Sequence, residues 1–383
     1  MGSNEACDAN VSPSLQRFGS FNARPRVQRM LPIAQSLLAY EKWLRRRLVL
    51  IPADLRHKRE KMRRSPFAFL RGSFFRWVEA WPHTCREIAD APRVLSVADI
   101  HVENFGTWRD ADGRLAWGVN DFDEAETLPY TNDLVRLCTS VILAIEDSST
   151  GTSVRSACQS VLDGYRHSLA IGGKPIVPGK QNRWLKTLAE HRAADDAAFW
   201  KPFLALKRAN APASLRPILM RALPKPHTEP RIVHRSVGLG SLGRQRFAAL
   251  ASGSGGPVAR EAKALTVSAV HWLDHRANAT VRYRQLVRSA IRAPDPSLSV
   301  RQGWVVRRLA PDCRKIEFHE LPQHTNLQPL LEAMGHELAN VHLGTPRQRA
   351  AIRRDLDRRK PRWLQHASER MAEITMQDWK VWK

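Results

Sequence analysis

The sequence contains few cysteines, and their spacing suggests no pairing. Five occur in 383 residues, namely Cys7, Cys85, Cys138, Cys158 and Cys313. No two of them have the spacing of a Cys-x-x-Cys motif, and their number is odd. Small secreted proteins that depend on disulfides use even, closely spaced sets. The pattern therefore excludes that class and predicts reduced thiols in the cytoplasm.

Features of membrane proteins are also missing. A membrane-spanning helix needs about 20 apolar residues in a row, and the longest apolar run, around residues 141–145, is much shorter. No basic start is followed by an apolar core, so we expect no secretory signal peptide. Myristoylation requires Ser or Thr at position 6, which is Ala here. We expect a cytoplasmic protein with no membrane partner.

Two common catalytic patterns are absent. The zinc-protease motif needs two histidines four residues apart on one helix face, whereas His336 and His342 are six apart. That spacing places them about 240° apart around a helix. No Cys/His set has the spacing of a zinc site, and there is no Gly-x-Ser-x-Gly nucleophile elbow. These absences exclude the zinc proteases and the serine hydrolases of that type.

Acidic residues are scarce relative to basic ones. The chain has 61 Lys and Arg against 37 Asp and Glu, a net charge of +24. Such a charge suits nucleic acid, an anionic membrane surface, or acidic and phosphorylated substrates. The basic residues are spread along the chain, with denser runs only in residues 45–64 and 353–362. Solvated helix faces are the simpler interpretation, so nucleic acid is a possible partner but not the favoured one.

Against this background, acids concentrate in residues 97–125. The stretch holds Asp99, His101, Glu103, Asn104, Asp121, Asp123 and Glu124. Residues 104–109 and 114–120 have the pattern of two strands, and the intervening Asp-Ala-Asp-Gly sequence is typical of a tight hairpin turn. A hairpin brings its two ends together, so Asp99 and Asn104 are expected to face Asp121 and Asp123.

Oxygen ligands that converge in this way suit Mg²⁺. The alternative is that these residues only form turns and helix caps, since Asp and Asn do both. That alternative leaves unexplained why the acids gather at one end of the hairpin. Further along, we expect Asn132 or Asp133 to cap a strongly apolar helix.

A second informative stretch is residues 231–265. Its pattern predicts a strand, a loop with Gly238, Gly240 and Gly243, a second strand, a Gly-rich turn, and a third strand bearing Lys263. A helix after the glycines would suggest a dinucleotide fold. A strand follows instead, which is the context of a kinase glycine loop, where a lysine on the next strand contacts the ATP phosphates. The alternative is a Gly-rich hairpin without such a role.

The length suggests about two domains or two lobes. From composition and pattern we divide the chain into an N-terminal helical region (1–94), a helical catalytic lobe with the acidic hairpin (95–230), a β-rich nucleotide-binding lobe (231–325) and C-terminal helices that pack on the catalytic lobe (326–383). Residues 175–230 are rich in proline and are the best candidate for a connection between the lobes.

Several of these segments resemble, over nearly the whole chain, a bacterial family of uncharacterised proteins called domain of unknown function 2252. The segments are Asp99-x-His-x-x-Asn104-Phe-Gly, Asn-Asp121-Phe-Asp123-Glu-Ala, Asp133-Leu, Ser65-Pro-Phe-Ala-Phe-Leu-Arg-Gly72 and Gly238-x-Gly-Ser-x-Gly243. The acidic loop is in turn similar to that of aminoglycoside phosphotransferases and other protein-kinase-like enzymes. There, an Asp, an Asn five residues on, and a later Asp after a hairpin form the phosphoryl-transfer site.

The resemblance implies a role for each matching position. Asp99 would orient or deprotonate the attacking hydroxyl, Asn104 and Asp121 would hold Mg²⁺, and Asp123 would support the metal or its loop. Asp133 would tie its helix to the catalytic loop. The last matches are in the glycine stretch: Gly238, Gly240 and Gly243 would cover the phosphates of ATP, and Lys263 would reach them.

The chain departs from that pattern in three ways. In ordinary kinases the glycine loop precedes the catalytic loop, whereas here Gly238 follows Asp99. Reading from residue 238 to the C-terminus and then from residue 95 restores the order, which predicts an α+β, two-lobed, circularly permuted kinase-like fold. No Glu occurs in residues 264–316 to pair with Lys263, so Asp274 is the candidate partner. Ala98 stands where many relatives have Gly.

The expected function is ATP- and Mg²⁺-dependent phosphate transfer to a small hydroxylated molecule. Two alternatives remain open. One is transfer of the nucleotidyl (AMP) group on the same fold. The other is a catalytically inactive basic module that binds nucleic acid or protein.

Overall fold

The protein is described by a computed structural model over residues 30–146, 151–179, 184–187, 196–274, 279–315, 318, 321 and 326–383. The first helices are α1 (Ile33–Arg45), α2 (Pro52–Met62), α3 (Pro66–Gly72), α4 (Phe74–Thr84), α5 (Tyr130–Glu146) and α6 (Val154–Ile171). The later ones are α7 (Asp196–Leu204), α8 (Leu215–Ala222), α9 (Val270–Asp274), α10 (Tyr283–Ser289), α11 (Gln328–Leu343), α12 (Arg349–Arg358) and α13 (Trp363–Trp382).

The strands form two short ribbons and one larger sheet. The ribbons are β1 (Arg93–Ser96) with β4 (Glu126–Pro129), and β2 (Phe105–Arg109) with β3 (Leu115–Val119). The sheet has the order β5-β6-β7-β9-β8, built from β5 (Arg231–His234), β6 (Arg246–Gly253), β7 (Gly256–Ala264), β8 (Ser299–Arg301) and β9 (Trp304–Leu309). All of its pairings are antiparallel. The protein is thus of the α+β class.

Helices α1–α6 and α11–α13, with the two ribbons, form what we call the helical lobe. Its centre is α5, whose described side chains are all buried, including charged ones such as Asp133 and Arg136 that have polar partners. Helices α6 and α11 approach closely, since a Cβ at Gly164 or Gly335 would collide with the backbone of the facing helix. At the start of α3, Ser65 Oγ accepts a hydrogen bond from Ala68 N (3.2 Å), and Pro66 occupies the first helical position, which is a typical helix start.

The five-stranded sheet, with α7 and α8, forms what we call the sheet lobe. Alternate residues of β6 point to opposite faces, so Phe247 packs with α8 and Ala248 packs with α7. The strand, glycine loop, strand, turn and strand predicted for residues 231–265 are present as β5, β6 and β7, with Lys263 on β7. Both covering helices precede residue 231, so the division at residue 230 separates them from the sheet they cover.

The predicted acidic hairpin is confirmed. Strands β2 and β3 pair in register from Phe105↔Val119 to Arg109↔Leu115. Beyond the strands, Asn120 N donates to the Asn104 carbonyl oxygen (3.0 Å), which holds the two open ends together.

One expectation about a helix start was wrong. Helix α5 begins at Tyr130, directly after β4, so Asn132 and Asp133 lie inside its first turn and do not cap it. Asn132 Oδ1 accepts a hydrogen bond from Trp77 Nε1 (3.0 Å), and Asp133 bonds to the backbone before Asp99. Among the helices that the structure describes, none has the length and apolar character required to cross a bilayer.

Candidate active site

The glycine loop of the sheet lobe (residues 235–245) lies against the acidic hairpin of the helical lobe. Between them is a small cavity of about 50 Å³. Its lining includes most of the residues selected from the sequence, namely Asp99, Asn104, Asp121, Asp123, Gly238 and Gly240. Gly240 is close to Asp99, since a Cβ there would lie 3.5 Å from Asp99 Oδ2 and 3.2 Å from the Arg71 carbonyl oxygen. Two distant parts of the chain therefore meet here.

Gly243 lies at the back of the glycine loop and does not line the cavity. Its φ is +97°, a conformation that favours glycine, and a Cβ would collide with Leu55 of α2. Its carbonyl oxygen accepts a hydrogen bond from Ile51 N (2.8 Å). Gly243 thus joins the loop to α2 and is not placed to cover a ligand.

Asp99 is held from behind by a fully buried arginine. Arg136 of α5 donates from Nε to Asp99 Oδ1 (3.0 Å), and its Nη2 bonds to the same oxygen and to the Leu70 carbonyl. The guanidinium also lies over the rings of Phe74 and Trp77. Burial raises the pKa of Asp99 to about 6, against the lowering effect of Arg136. Asp99 is therefore ionised at neutral pH, with Oδ1 fixed and Oδ2 toward Gly240.

Asn104 is oriented by the backbone of the acidic loop. Its Nδ2 donates to the Asp99 carbonyl oxygen (2.7 Å), so the oxygen Oδ1 is not used in that bond. In the same loop, His101 Nδ1 accepts a hydrogen bond from Glu103 N (3.2 Å), and burial holds the pKa of His101 well below its usual value. The imidazole is therefore neutral, with its proton on Nε2.

Lys263 crosses from the sheet to the end of the hairpin. Its Nζ lies 3.0 Å from Asp121 Oδ1 and 2.7 Å from Asp123 Oδ1. Burial raises the pKa of Asp121, but Lys263, with Lys315 and Arg307, outweighs burial and holds that pKa well below its usual range. Burial and the neighbouring Asp121 raise the pKa of Asp123. The lysine thus links the two lobes through a shared pair of carboxylates.

The expected partner of Lys263 was Asp274, whose side chain lies outside the described residues. The nearest acid on its own strand, Glu261, does not contact it and is taken by arginines. Glu261 is fully buried, and its Oε1 accepts hydrogen bonds from Arg246 Nη1 (2.7 Å) and Arg307 Nη2 (2.8 Å), while Arg235 bonds to Oε2. Within the described residues, Lys263 pairs with the hairpin acids.

Glu124 binds Arg244, which lies at the end of the glycine loop. Its Oε1 accepts from Arg244 Nη2 (2.6 Å), and its Oε2 accepts from Ala269 N (2.6 Å). Arg244 Nη1 lies 3.6 Å from Asp123 Oδ2. This buried pair is a second link between the hairpin and the glycine loop.

Asp133 connects α5 to the acidic loop, as the resemblance implied. Its Oδ2 accepts from Val97 N (2.7 Å) and its Oδ1 accepts from Ala98 N (3.0 Å). His342 of α11 also contacts Asp133, with Nε2 3.2 Å from Oδ2. The Tyr165 hydroxyl lies 2.8 Å from the other ring nitrogen, His342 Nδ1. Ala98 has a φ of +67°, the left-handed conformation that favours glycine. The turn before Asp99 is therefore strained and held by two hydrogen bonds to one carboxylate.

The open end of the hairpin presents side-chain oxygens of the kind that Mg²⁺ takes as ligands. Mg²⁺ is typically bound by one or two carboxylates together with phosphate oxygens and water, and Asp121 with Asn104 Oδ1 supplies such a set. Within the residues that the structure describes, no three His, Cys, Asp or Glu side chains converge as a metal site. A metal would therefore depend on the phosphates for its remaining ligands. A nucleotide would also need the glycine loop to lift, because ligand pockets usually exceed about 300 Å³.

Sequence reasoning missed every basic residue of this site except Lys263, namely Lys58, Arg71, Arg136, Arg244 and Lys315. Arg136 is the one charged residue in the middle of a strongly apolar helix, and that contrast was a usable signal. Lys58 and Lys315 line the cavity too, but nothing in the sequence separates them from the many other basic residues.

A comparison with family models supports part of the resemblance. The family described as "Uncharacterized protein conserved in bacteria (DUF2252)" matches residues 47–215. The chain is similar to this family over those residues. The matched part contains the acidic hairpin and α2–α6, and it ends before the glycine loop and Lys263. No curated protein and no solved structure matches the chain.

Proposed function

We propose that this protein is an ATP- and Mg²⁺-dependent phosphotransferase that acts on a small hydroxylated molecule. We further propose that its fold is kinase-like and circularly permuted, with the nucleotide lobe after the catalytic lobe. The observation that carries the proposal is the contact of Lys263 with Asp121 and Asp123, at the hairpin that the glycine loop also approaches. A glycine loop, a strand lysine and a hairpin of acids have no structural need to meet, and phosphate transfer uses all three.

Each residue has a defined task in this proposal. Asp99 accepts the proton of the acceptor hydroxyl through Oδ2, while Arg136 fixes Oδ1 and so sets the angle of the carboxylate. Asn104 and Asp121 would hold Mg²⁺, and Asp123 would position Asp121 and Lys263. When bound, the metal neutralises charge on the transferred phosphoryl group. Lys263 exchanges its carboxylate partners for phosphate oxygens. Most of the rate enhancement then comes from positioning and electrostatics.

The test is turnover of Mg-ATP with a panel of small alcohols, sugars and aminoglycosides. We expect turnover by the wild type, and a loss of at least about 100-fold in Asp99→Asn and Asp121→Ala. Asp112→Asn is the matched control, because Asp112 is an exposed acid in the turn of the same hairpin. Equal turnover in all four proteins would show that the site assignment is wrong.

The same samples separate the two alternatives. Mass spectrometry of the modified acceptor distinguishes an added phosphate from an added AMP. A basic binding module without catalysis would bind polyanions in a salt-sensitive manner and would gain no thermal stability from Mg-ATP.

A further inference from the structure

Two lysines of the cavity, Lys58 and Lys315, form no direct ion pair with the carboxylates that line it. Each of its four acids already contacts another cation: Asp99 with Arg136, Asp121 and Asp123 with Lys263, and Glu124 with Arg244. Lys58 and Lys315 also line the cavity. Over the described part of the chain, neither lysine lies within ion-pair distance of a carboxylate. Since Asp121 and Asp123 share one lysine, these four acids face five cations, and Lys58 and Lys315 leave one positive charge in excess at the cavity.

Lys58 approaches the cavity from α2, beneath the glycine loop. Its Nζ donates to the Gly240 carbonyl oxygen (2.9 Å). Burial and the neighbouring Arg244 lower the pKa of the Lys58 amine to about 8, although Asp99 opposes that shift. Among the described residues, the hydrogen-bond partner of this ammonium group is a neutral carbonyl, and a cation gains free energy if an anion replaces such an acceptor.

Lys315 approaches from the opposite side, next to the hairpin. Its segment is fixed to β2 by the bridge between Lys315 and Gly106 and by a hydrogen bond from Thr107 N to the Arg314 carbonyl oxygen (2.8 Å). Burial lowers the pKa of the Lys315 amine to about 8, although Asp121 opposes that shift. The two lysines thus enter one cavity from its Asp99 side and its Asp121 side.

We propose that Lys58 and Lys315 form a phosphate-binding site in this cavity, which Lys263 does not itself line. Two ammonium groups that face a cavity of about 50 Å³ suit a single compact dianionic group. The bound group belongs either to a nucleotide or to a phosphorylated acceptor. Only that last choice rests on the proposed function, because binding of phosphate itself requires no transfer.

The experiment measures binding of tripolyphosphate, ATP and glycerol 3-phosphate to the full chain by calorimetry and thermal shift, without Mg²⁺. The variants are Lys58→Met and Lys315→Met, and Lys61→Met is the matched control because it lies on the same helix but does not line the cavity. We expect each cavity variant to weaken tripolyphosphate binding at least about tenfold, as expected when one charge-assisted contact is lost. Lys61→Met should bind as the wild type does.

The two sources of phosphate are separated by competition. If ATP displaces glycerol 3-phosphate, the lysines hold a nucleotide phosphate. If both bind together and only glycerol 3-phosphate binding depends on the lysines, they hold the acceptor. Either result supports the site.

Other outcomes overturn one proposal without the other. If both cavity variants bind all three probes as the wild type does, or if the wild type binds none of them, there is no phosphate site at these lysines. If the lysines govern tripolyphosphate binding but Mg-ATP is never turned over, the phosphate site stands and the phosphotransferase proposal fails. If the wild type and both variants turn over Mg-ATP equally and bind the three probes with equal affinity, the phosphotransferase proposal stands and the phosphate site at Lys58 and Lys315 fails.

Discussion

Lys263 and Asp121 are 142 residues apart in sequence, and Lys263 Nζ lies 3.0 Å from Asp121 Oδ1. The lysine side chain is almost completely buried, and its second partner, Asp123, is also largely buried. An ion pair of this kind is sensitive to the loss of one partner, because the remaining charges stay buried without compensation.

The first prediction follows from that pair. Lys263→Met leaves Asp121 and Asp123 facing each other, so the free energy of unfolding should fall by about 3 kcal/mol at neutral pH. Mg²⁺ should restore part of the loss, because the metal replaces the missing positive charge between the carboxylates. Urea denaturation with and without Mg²⁺ measures both effects.

Lys201→Met serves as the control for Lys263→Met, since Lys201 is an exposed lysine of α7. An Mg²⁺ effect of equal size in Lys263→Met, Lys201→Met and the wild type would contradict a metal site at the hairpin acids. The comparison does not depend on catalysis.

The second prediction concerns Arg136. Lysine cannot reproduce the donation from Nε and Nη2 to one carboxylate oxygen, so Arg136→Lys should let Asp99 rotate. Turnover should drop about 100-fold with little change in the KM for ATP, because a small misplacement affects the reacting geometry more than binding. Steady-state kinetics with varied ATP measures this.

Arg166→Lys is the matched control for Arg136→Lys, because Arg166 of α6 donates to a backbone carbonyl, that of Leu356 (3.3 Å), far from Asp99. If Arg136→Lys and Arg166→Lys have the same turnover, Arg136 does not position Asp99.

Local parts of the site were predictable from the sequence, whereas the contacts between distant parts were not. The hairpin and the strand–glycine loop–strand arrangement were predictable because their signals are local: an Asp-Gly turn, alternating apolar residues, and glycines between strands. The meeting of Asp99 with Gly240 was not predictable from local signals. The meeting was expected only because the resemblance to kinase-like enzymes implies that the glycine loop and the hairpin acids form one site.

The missed residues show why the rest was not predictable. Lys58 belongs to the site because its Nζ contacts the Gly240 carbonyl oxygen. That contact depends on how α2 packs against a loop 182 residues away in sequence. The start of α5 was misplaced because Asn132 and Asp133 are good capping residues. In the structure their side chains have tertiary partners, Trp77 and the backbone before Asp99, and β4 runs directly into the helix.

The third prediction concerns Ala98, whose φ is +67°. Glycine at this position would relieve about 1–2 kcal/mol of backbone strain, which stabilises the protein. The change also removes one buried methyl group and raises the entropy of the unfolded chain, and each of these destabilises the protein by about 0.8 kcal/mol. Ala98→Gly should therefore leave the free energy of unfolding within about 0.5 kcal/mol of the wild type. Thermal and urea unfolding measure it.

A contrast with Ala157 makes the third prediction sharp. Ala157 is equally buried, but it lies inside α6, where the same change costs helix propensity and a methyl group, about 2 kcal/mol in sum. Equal destabilisation at the two positions would mean that Ala98 is not strained.

The fourth prediction concerns Glu337 on α11. It is buried against β3, where Oε1 accepts from Val119 N (3.3 Å), and Asn340 Nδ2 donates to Oε2 (3.1 Å). Burial raises the pKa of Glu337 from 4.5 to about 7, although Arg292 opposes the shift. The folded protein then binds one proton more than the unfolded chain between these two values. The contribution of Glu337 to stability is therefore full below pH 4.5 and is lost as the pH rises to about 7.

Glu337→Gln removes this dependence. Relative to the wild type, the variant should gain on the order of 3 kcal/mol in the free energy of unfolding between pH 4.5 and pH 8. Urea denaturation of both proteins across that range gives the difference directly. A difference that stays constant with pH would place the pKa of Glu337 near its ordinary value.

The separation of Lys263 from Asp121 also has a consequence for synthesis. A ribosome adds about 5–20 residues per second, so the acids of the hairpin are added roughly 7–30 s before their lysine. During that interval Asp121 and Asp123 have no Lys263 to neutralise them, and the helical lobe cannot bury them without cost. Because the hairpin precedes Lys263 in the sequence, the acidic site cannot be completed until β7 has been translated. A nascent chain therefore carries the hairpin acids without their lysine over the 142 residues that separate them.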